Sequence, residues 1–318
     1  MIRAMRPTDA MALRLLRPRD RTIDVTAGIW PKGPPESRHP SLLSLLRDAT
    51  LPAPTHRQIG VSVSASELLG LVVLRYRAGG LVWDVEHLEI DRADTGVELL
   101  RWVQERARSA AARRVILHTP ADGPGAEVAR RAGFERYTEG VSYRLARGFS
   151  QKQGDALPAR PRLRSDESAI FQLYVAAVPA NVRAAEALTQ EEWAALYPGK
   201  RFWAPSVLGD RQDYVWEMAS RLVGWMRVVF GQRSQFLDLL VHPLYEAYAD
   251  KMVRCALDQL SPKAPVTVDT REYQGASRAA LERSGFESGE AYAAWACQIA
   301  SRVPAPRAAP VRPRATPV

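Results

Sequence analysis

The chain is poor in the residues that build metal clusters and disulfide frameworks: 318 residues hold two cysteines, Cys255 and Cys297, and five histidines. Neither cysteine stands in a CxxC or Cys/His spacing, so no metal site and no disulfide framework is expected, and both read as small buried hydrophobes. Long apolar runs are also missing. None approaches the ~18 residues that span a bilayer. The opening stretch MIRAMRPTDAMALRLLRPRD carries charge throughout and lacks a leader's apolar core. A protein of the cytoplasm, without membrane partners, is the expectation.

A net charge of +9 is what the chain does have, and it is uneven: residues 1–164 hold 27 basic and 18 acidic side chains, and the remainder balances. Arginines of the first part are interleaved with acids, as in Glu98, Arg101, Glu105, Arg106 and Arg108. That is the pattern of a solvated helix face and not of a phosphate-tracking stripe, which argues against a nucleic-acid partner.

The sequence repeats itself. Residues 84–135 and 235–287 share one order of elements; Ile90 answers to Val241 and Val115 to Val266 at an offset of 151, and Gly133-Phe134-Glu135 to Gly285-Phe286-Glu287 at 152. A period this long marks a duplicated domain, not a solenoid module. In each half a hairpin is expected first, Leu68–Tyr76 with Leu81–Ile90 and Leu222–Phe230 with Gln235–Val241. A helix follows, near Gly96–Ala111 and Glu246–Leu260. Next come a short buried strand at Val115–His118 and Val266–Asp269, a helix at Ala126–Arg131 and Ser277–Arg283 ending on a C′ glycine, and a last strand that closes its own half. The halves open alike: strand Ile2–Met5 with a helix from Thr8-Asp9 through Leu16, and Arg162-Leu163-Arg164 with a helix Ser168–Ala177. Thr189-Gln-Glu-Glu192 has capping-box form, and a short helix is expected at Leu42–Leu46. The polar, proline-containing stretch QKQGDALPARP at 151–161 reads as a linker. The expected domains are 1–150 and 160–300, with a Pro/Arg/Ala tail at 301–318 that should be disordered.

This order, with Val241-His242-Pro243 running into a helix and two helix–Gly-Phe endings, resembles the GNAT acetyltransferase superfamily over both halves. The resemblance implies an α/β protein of two tandem domains, each a mixed twisted sheet flanked by helices. It implies that the fourth and fifth strands splay to admit acetyl-coenzyme A or another acyl-coenzyme A, and that the acyl group passes to an amine. The family's Arg/Gln-x-x-Gly-x-Gly/Ala turn holds a pyrophosphate on backbone N–H groups. Here that turn maps to Glu246-Ala247-Tyr248-Ala249-Asp250-Lys251, with Val241 before it, and in the first half to Asp91–Gly96, where only Gly96 survives. The asparagine that starts the family's last helix maps to Gln274 and Asp122. The family's tyrosine acid maps to Leu281 and Ala129, so neither half keeps it.

The repeat aligns His87 with Asp238 and His118 with Asp269, all beside the expected splay. His87 and His118, with Glu89 on the same strand, are candidate acids and bases because imidazole titrates near neutrality. Half-exposed strand residues with satisfied hydrogen bonds are the stronger reading of His87 and Glu89. Asp238 and Asp269 are candidates to hold or deprotonate an amine, against a plainer role in capping backbone N–H groups. Trp193, Tyr197 and Trp203 are candidates to line an apolar pocket for a small amine substrate, against simple core packing. Two functions stay open: an acyl-coenzyme-A-dependent N-acyltransferase, and a non-catalytic ligand-binding or scaffold protein of the same fold.

Overall fold

The computed structural model describes residues 1–6, 8–9, 23–27, 57–64, 67–149, 157–196, 210–231 and 233–299. The expected helix from Thr8 lies largely, and that at Leu42–Leu46, the tail at 301–318, Tyr197 and Trp203 lie wholly, outside the described residues.

The strands are β1 (Ile2–Ala4), β2 (Ile23–Asp24), β3 (Arg57–Ser64), β4 (Glu67–Arg77), β5 (Val82–Ile90), β6 (Arg114–Pro120), β7 (Glu135–Leu145), β8 (Arg160–Pro161), β9 (Asp210–Met218), β10 (Arg221–Phe230), β11 (Gln235–Val241), β12 (Val266–Arg271) and β13 (Glu287–Gln298). Helices α1 (Ala93–Ser109) and α2 (Pro124–Arg131) belong to the first half, and α3 (Glu167–Ala177), α4 (Ala180–Glu186), α5 (Gln190–Leu196), α6 (Ala249–Asp258) and α7 (Gly275–Arg283) to the second. The start of the second half differs from expectation. The short strand is Arg160–Pro161, and Arg164–Asp166 is a 3-10 turn in which the Asp166 carboxylate accepts the Leu163 N–H at 2.7 Å and pairs with Arg160. Arg3 and Asp9 make the same pair in the first half.

Both Gly-Phe exits have one physical cause. Gly133 (φ 81°) and Gly285 (φ 87°) take the left-handed conformation after α2 and α7. Their N–H groups donate to Arg130 O and Glu282 O, while Phe134 N and Phe286 N reach back to Ala129 O and Leu281 O. This is the Schellman closure of a helix, and the buried phenylalanines seal it against the core.

The expectation that each half closes its own sheet is not met. The strands form one sheet in the order β1-β3-β4-β5-β6-β13-β7-β12-β11-β10-β9-β8. The last strand of each half is therefore exchanged: β13 pairs antiparallel with β6 of the first half, and β7 with β12 of the second. The two exchanged strands run side by side, with Tyr292 facing Gly140 across the pair. A Cβ on Gly140 would lie 2.2 Å from the Tyr292 ring and 2.3 Å from Thr270 O. Helices α1 and α2 cover one core of the sheet, built on Val85, Leu88, Ile90, Val97, Leu100 and Val115. Helices α6 and α7 cover the equivalent core around Leu237, Leu239, Val241, Met252 and Val268. A third core lies under α3 to α5, around Trp193, Trp225 and Leu240. One buried ion pair ties the halves: Arg114 of β6 reaches Glu192 of α5 at 2.5 Å and donates to Ala184 O at 2.8 Å.

Candidate functional site

Each half contains one pair of parallel strands that starts together and then parts. In the first half β5 and β6 pair from Val82/Arg114 to Val85/Leu117. A bulge interrupts the β4–β5 register between Val73/His87 and Leu74/Val85, so Glu86 is the extra residue. A bulge re-aims the strand that carries it, and the parting of β5 from β6 begins at this point. The extra residue leaves both Glu86 and His87 on the face away from α1 and α2, between core-facing Val85 and Leu88.

His87 and Glu89 are buried, at 4% exposure each, and not half-exposed as expected. His87 Nε2 lies 3.2 Å from Glu89 Oε2, and Nδ1 lies 3.7 Å from Asp24 Oδ1. His118 is buried at the end of β6, its ring 6.2 Å from that of Tyr292 and edge-on to it. The structure thus brings His87 and Glu89 into contact and adds Asp24, which the sequence reading did not single out.

The gap between β5 and β6 is filled by the chain itself. Ile23 and Asp24 pair with Ile90 and Glu89. The Val25 N–H donates to Leu88 O at 2.8 Å, and the Ala27 N–H to His118 O at 2.9 Å. Gly96, matched in sequence to a phosphate-binding glycine, packs against α2: a Cβ there would come within 2.8 Å of Val128. Asp94, beside it, pairs with Arg131 at 2.6 Å.

The second gap is built differently. Here β11 and β12 pair only at Gln235/Val266 and Phe236/Thr267. The Gln235 N–H faces Pro265 and the His242 N–H faces Val223 of β10, so alternation turns the N–H and C=O groups of Leu239 and Val241 towards the gap. No strand pairs with that stretch of edge among the described residues. The Gln274 side chain crosses the gap: Nε2 donates to Leu239 O at 3.0 Å, while Oε1 accepts the Arg271 N–H at 2.8 Å. Asp238 and Asp269 are half-buried. They alternate with the core residues Leu237, Leu239 and Val268, so both lie on the face away from α6 and α7.

The turn after β11 is a 3-10 helix, Pro243–Tyr248, leading straight into α6. Its donors are used internally: the Tyr245 N–H on His242 O, the Ala249 N–H on Glu246 O and the Leu244 N–H on His242 Nδ1 at 3.2 Å. His242 therefore accepts at Nδ1, and burial, followed by the charge of Arg221, holds its pKa below the usual imidazole value. Glu246 and Ala247 are exposed, Tyr248 and Lys251 half-buried, and Ala249 buried. Asp250 pairs with Arg283 at 2.8 Å, the counterpart of Asp94 with Arg131.

Of the aromatic candidates, Trp193 is 1% exposed and packs edge-on against Trp225 at 6.1 Å, which makes it a core residue. Sequence reasoning missed a polar cluster where the exchanged strands meet. Glu186 of α4 accepts from Tyr137 at 2.9 Å and from Arg271 at 2.8 Å, and Arg271 also donates to the Tyr292 hydroxyl. Burial would lower the Arg271 pKa, but Glu186 together with Tyr292, Tyr137 and Tyr273 more than offsets this and the guanidinium stays charged. The cluster joins one residue of β7, one of β12, one of β13 and one of α4, and no local sequence pattern links them.

Comparison with solved structures follows the same outline. A tandem GNAT protein from the clavulanic acid biosynthesis pathway superposes with a TM-score of 0.51 at 17% identity, covering 94% of this chain and 98% of its own. A GCN5-related N-acetyltransferase from Sphaerobacter thermophilus gives 0.54 at 15% identity, covering 94% and 95%. The chain has a tandem GNAT fold. No protein-family model and no curated relative matches the sequence. No helix among the described residues is long and apolar enough to cross a membrane, and no described cluster of His, Cys, Asp and Glu is arranged to hold a metal ion.

Proposed function

We propose that the protein is an acyl-coenzyme-A-dependent N-acyltransferase for a small amine, with its acyl site in the gap between β11 and β12. The observation that carries this reading is the edge at Leu239 and Val241, whose backbone donors and acceptors face a gap in which no strand among the described residues pairs with them and which the Gln274 side chain crosses. An extended arm bearing amides fits such an edge as an added strand. Val241, Leu239 and Gln274 would hold the arm; the bound cofactor would supply an activated thioester. The diphosphate end fits less well, because the turn at Pro243–Tyr248 bonds its own N–H groups and carries Glu246. Lys251 is the one cation that residues 246–251 would offer a phosphate.

The chain's part in the reaction is to orient the amine and take its proton. Asp238 and Asp269, half-buried on one face beside the parting strands, would take that role. Cys255 is not: it lies within α6 in the core, and burial pushes its thiol pKa up.

The internally bonded turn favours a second reading, a non-catalytic protein that binds an amide-bearing ligand in the same gap. Calorimetry with acetyl-coenzyme A and with pantetheine, paired with a thiol-release assay over a panel of primary amines, separates the two. Binding with amine-dependent thiol release supports transfer. Binding without release under any amine supports the second reading, and no binding of either probe removes both.

A further inference from the structure

We propose that residues 23–27 are a permanent occupant of the first half's gap, so that the chain takes at most one acyl-coenzyme A, in its second half. The run bonds to both lips of the opening. It pairs with β5 at Ile23/Ile90 and Asp24/Glu89, its Val25 N–H holds Leu88 O at 2.8 Å, and its Ala27 N–H holds His118 O of β6 at 2.9 Å. Those are the edge groups that an extended ligand would need, since Leu88 and Ile90 turn towards the gap as Leu239 and Val241 do in the second half.

The occupant is anchored in three further ways. Val25 is fully buried in the core under α1 and α2, and Ala27 packs against Tyr292. The Val25 carbonyl lies 2.8 Å from where a Cβ on Gly125 would be, so a glycine at the start of α2 is what lets the run pass beneath the helix. Asp24 Oδ1 accepts from the Thr26 N–H at 3.0 Å and the Thr26 hydroxyl at 2.7 Å, and faces His87 at 3.7 Å. His87 and Glu89, candidate catalysts by sequence, here serve to hold the run. Clearing the gap would break backbone hydrogen bonds on both lips and expose a core valine. Swinging Gln274 out of the second gap breaks only side-chain contacts. The occupancy of the first gap does not depend on the second half being active.

Amide hydrogen exchange on the full chain, with and without saturating acetyl-coenzyme A, tests this together with calorimetric stoichiometry. The Val25 and Ala27 amides should exchange slower than an unstructured peptide by roughly 100-fold or more. Their rates should not change with ligand, and no more than one equivalent should bind. Faster exchange at Val25 and Ala27 on adding acetyl-coenzyme A, or two equivalents bound, would show a gate instead of a fixed occupant and overturn the proposal. Unprotected amides in the free protein would overturn it as well. If acetyl-coenzyme A does not bind at all, the proposed activity fails, and protection at Val25 and Ala27 still decides this inference by itself.

Discussion

The two halves solve the same structural problem in opposite ways. A pair of parallel strands that parts leaves backbone N–H and C=O groups facing inwards, and such groups need partners when buried. The first half meets the need with a run of its own chain, residues 23–27, bonded to both lips. In the second half, among the described residues, the Gln274 side chain reaches Leu239 O and also accepts the Arg271 N–H. A backbone plug that is part of the core is a structural element, whereas a side-chain bridge can exchange partners. Duplication therefore gives one gap closed by backbone and another crossed by a side chain. The same division shows in the glycines: those of the first half, Gly96 and Gly125, admit Val128 and Val25 and not a phosphate.

The comparison breaks most completely where the halves are joined. Gly140→Val places a branched side chain against the Tyr292 ring and Thr270 O, where even a Cβ would stand at 2.2–2.3 Å. Because backbone lies on one side, the clash is not relieved by a rotamer change. A loss of about 4 kcal/mol or more is expected, enough to prevent folding of both halves together. Thermal melts and soluble yield check it. A variant that unfolds only one half would show that the exchanged strands do not couple them.

Next in size is the buried pair Arg114–Glu192. Glu192→Gln leaves a buried guanidinium without its counter-charge and should cost about 3 kcal/mol. Burial by itself would raise the Glu192 pKa, but the Leu188 N–H and Arg114 together hold it below 4.5. A folded-state pKa lower than the unfolded one gives stability that is present above about pH 4.5 and is lost as pH falls through the folded value. The gap in melting temperature between wild type and Glu192→Gln should therefore be full at neutral pH and shrink in acid. A gap that does not vary between pH 3 and 7 would remove the ion pair as its cause.

For activity, Asp238→Asn should lower kcat by roughly 100-fold, the lower range for loss of a general base. Cys255→Ser should leave kcat within about twofold while lowering the melting temperature, because it places a hydroxyl in an apolar core. Equal kcat for wild type and Asp238→Asn at saturating substrate would take Asp238 out of the reaction.

Much of this architecture was legible in the residues, and what was not has a physical reason. Gly133-Phe134 and Gly285-Phe286 were readable because a helix that ends in the left-handed region favours glycine and then buries the next apolar residue. The hairpins and both short parallel strands followed from periodicity. Strand exchange could not be read, because β7 and β13 descend from the same repeat and either can pair with β6 or β12. The plug was hidden for a different reason. Only Ile23 and Asp24 form a strand, and its partners lie more than 60 residues away at Leu88, Ile90 and His118. His87 was found as a notable residue but not its use, since its partner Asp24 belongs to that same unrecognised run. Strand β9 was missed because Asp210–Met218 carries Arg211, Gln212 and Asp213 at its start. Arg227 and Arg162 neutralise Asp213 there, at 2.7 and 3.1 Å.

The smallest expected effect is also the sharpest test of how the halves differ. Gln274 and Asp122 occupy equivalent positions at the start of the last helix of each half. Asp122 is exposed, whereas Gln274 reaches across its gap. A ligand arm laid on β11 would take over Leu239 O, and the Gln274 amide, still close by, can then donate to the ligand's own carbonyl. Removing it costs one hydrogen bond in the complex, about 1 kcal/mol. Gln274→Ala should therefore weaken acetyl-coenzyme A binding by roughly fivefold, with a small loss of melting temperature because the Arg271 N–H loses its acceptor. Asp122→Ala should change neither. Calorimetry on the two variants side by side reads the difference directly. Equal losses of affinity would mean that both gaps take the ligand, and that the plug at residues 23–27 yields. An unchanged affinity in Gln274→Ala would move the arm away from Leu239 and leave the edge of β11 without a ligand.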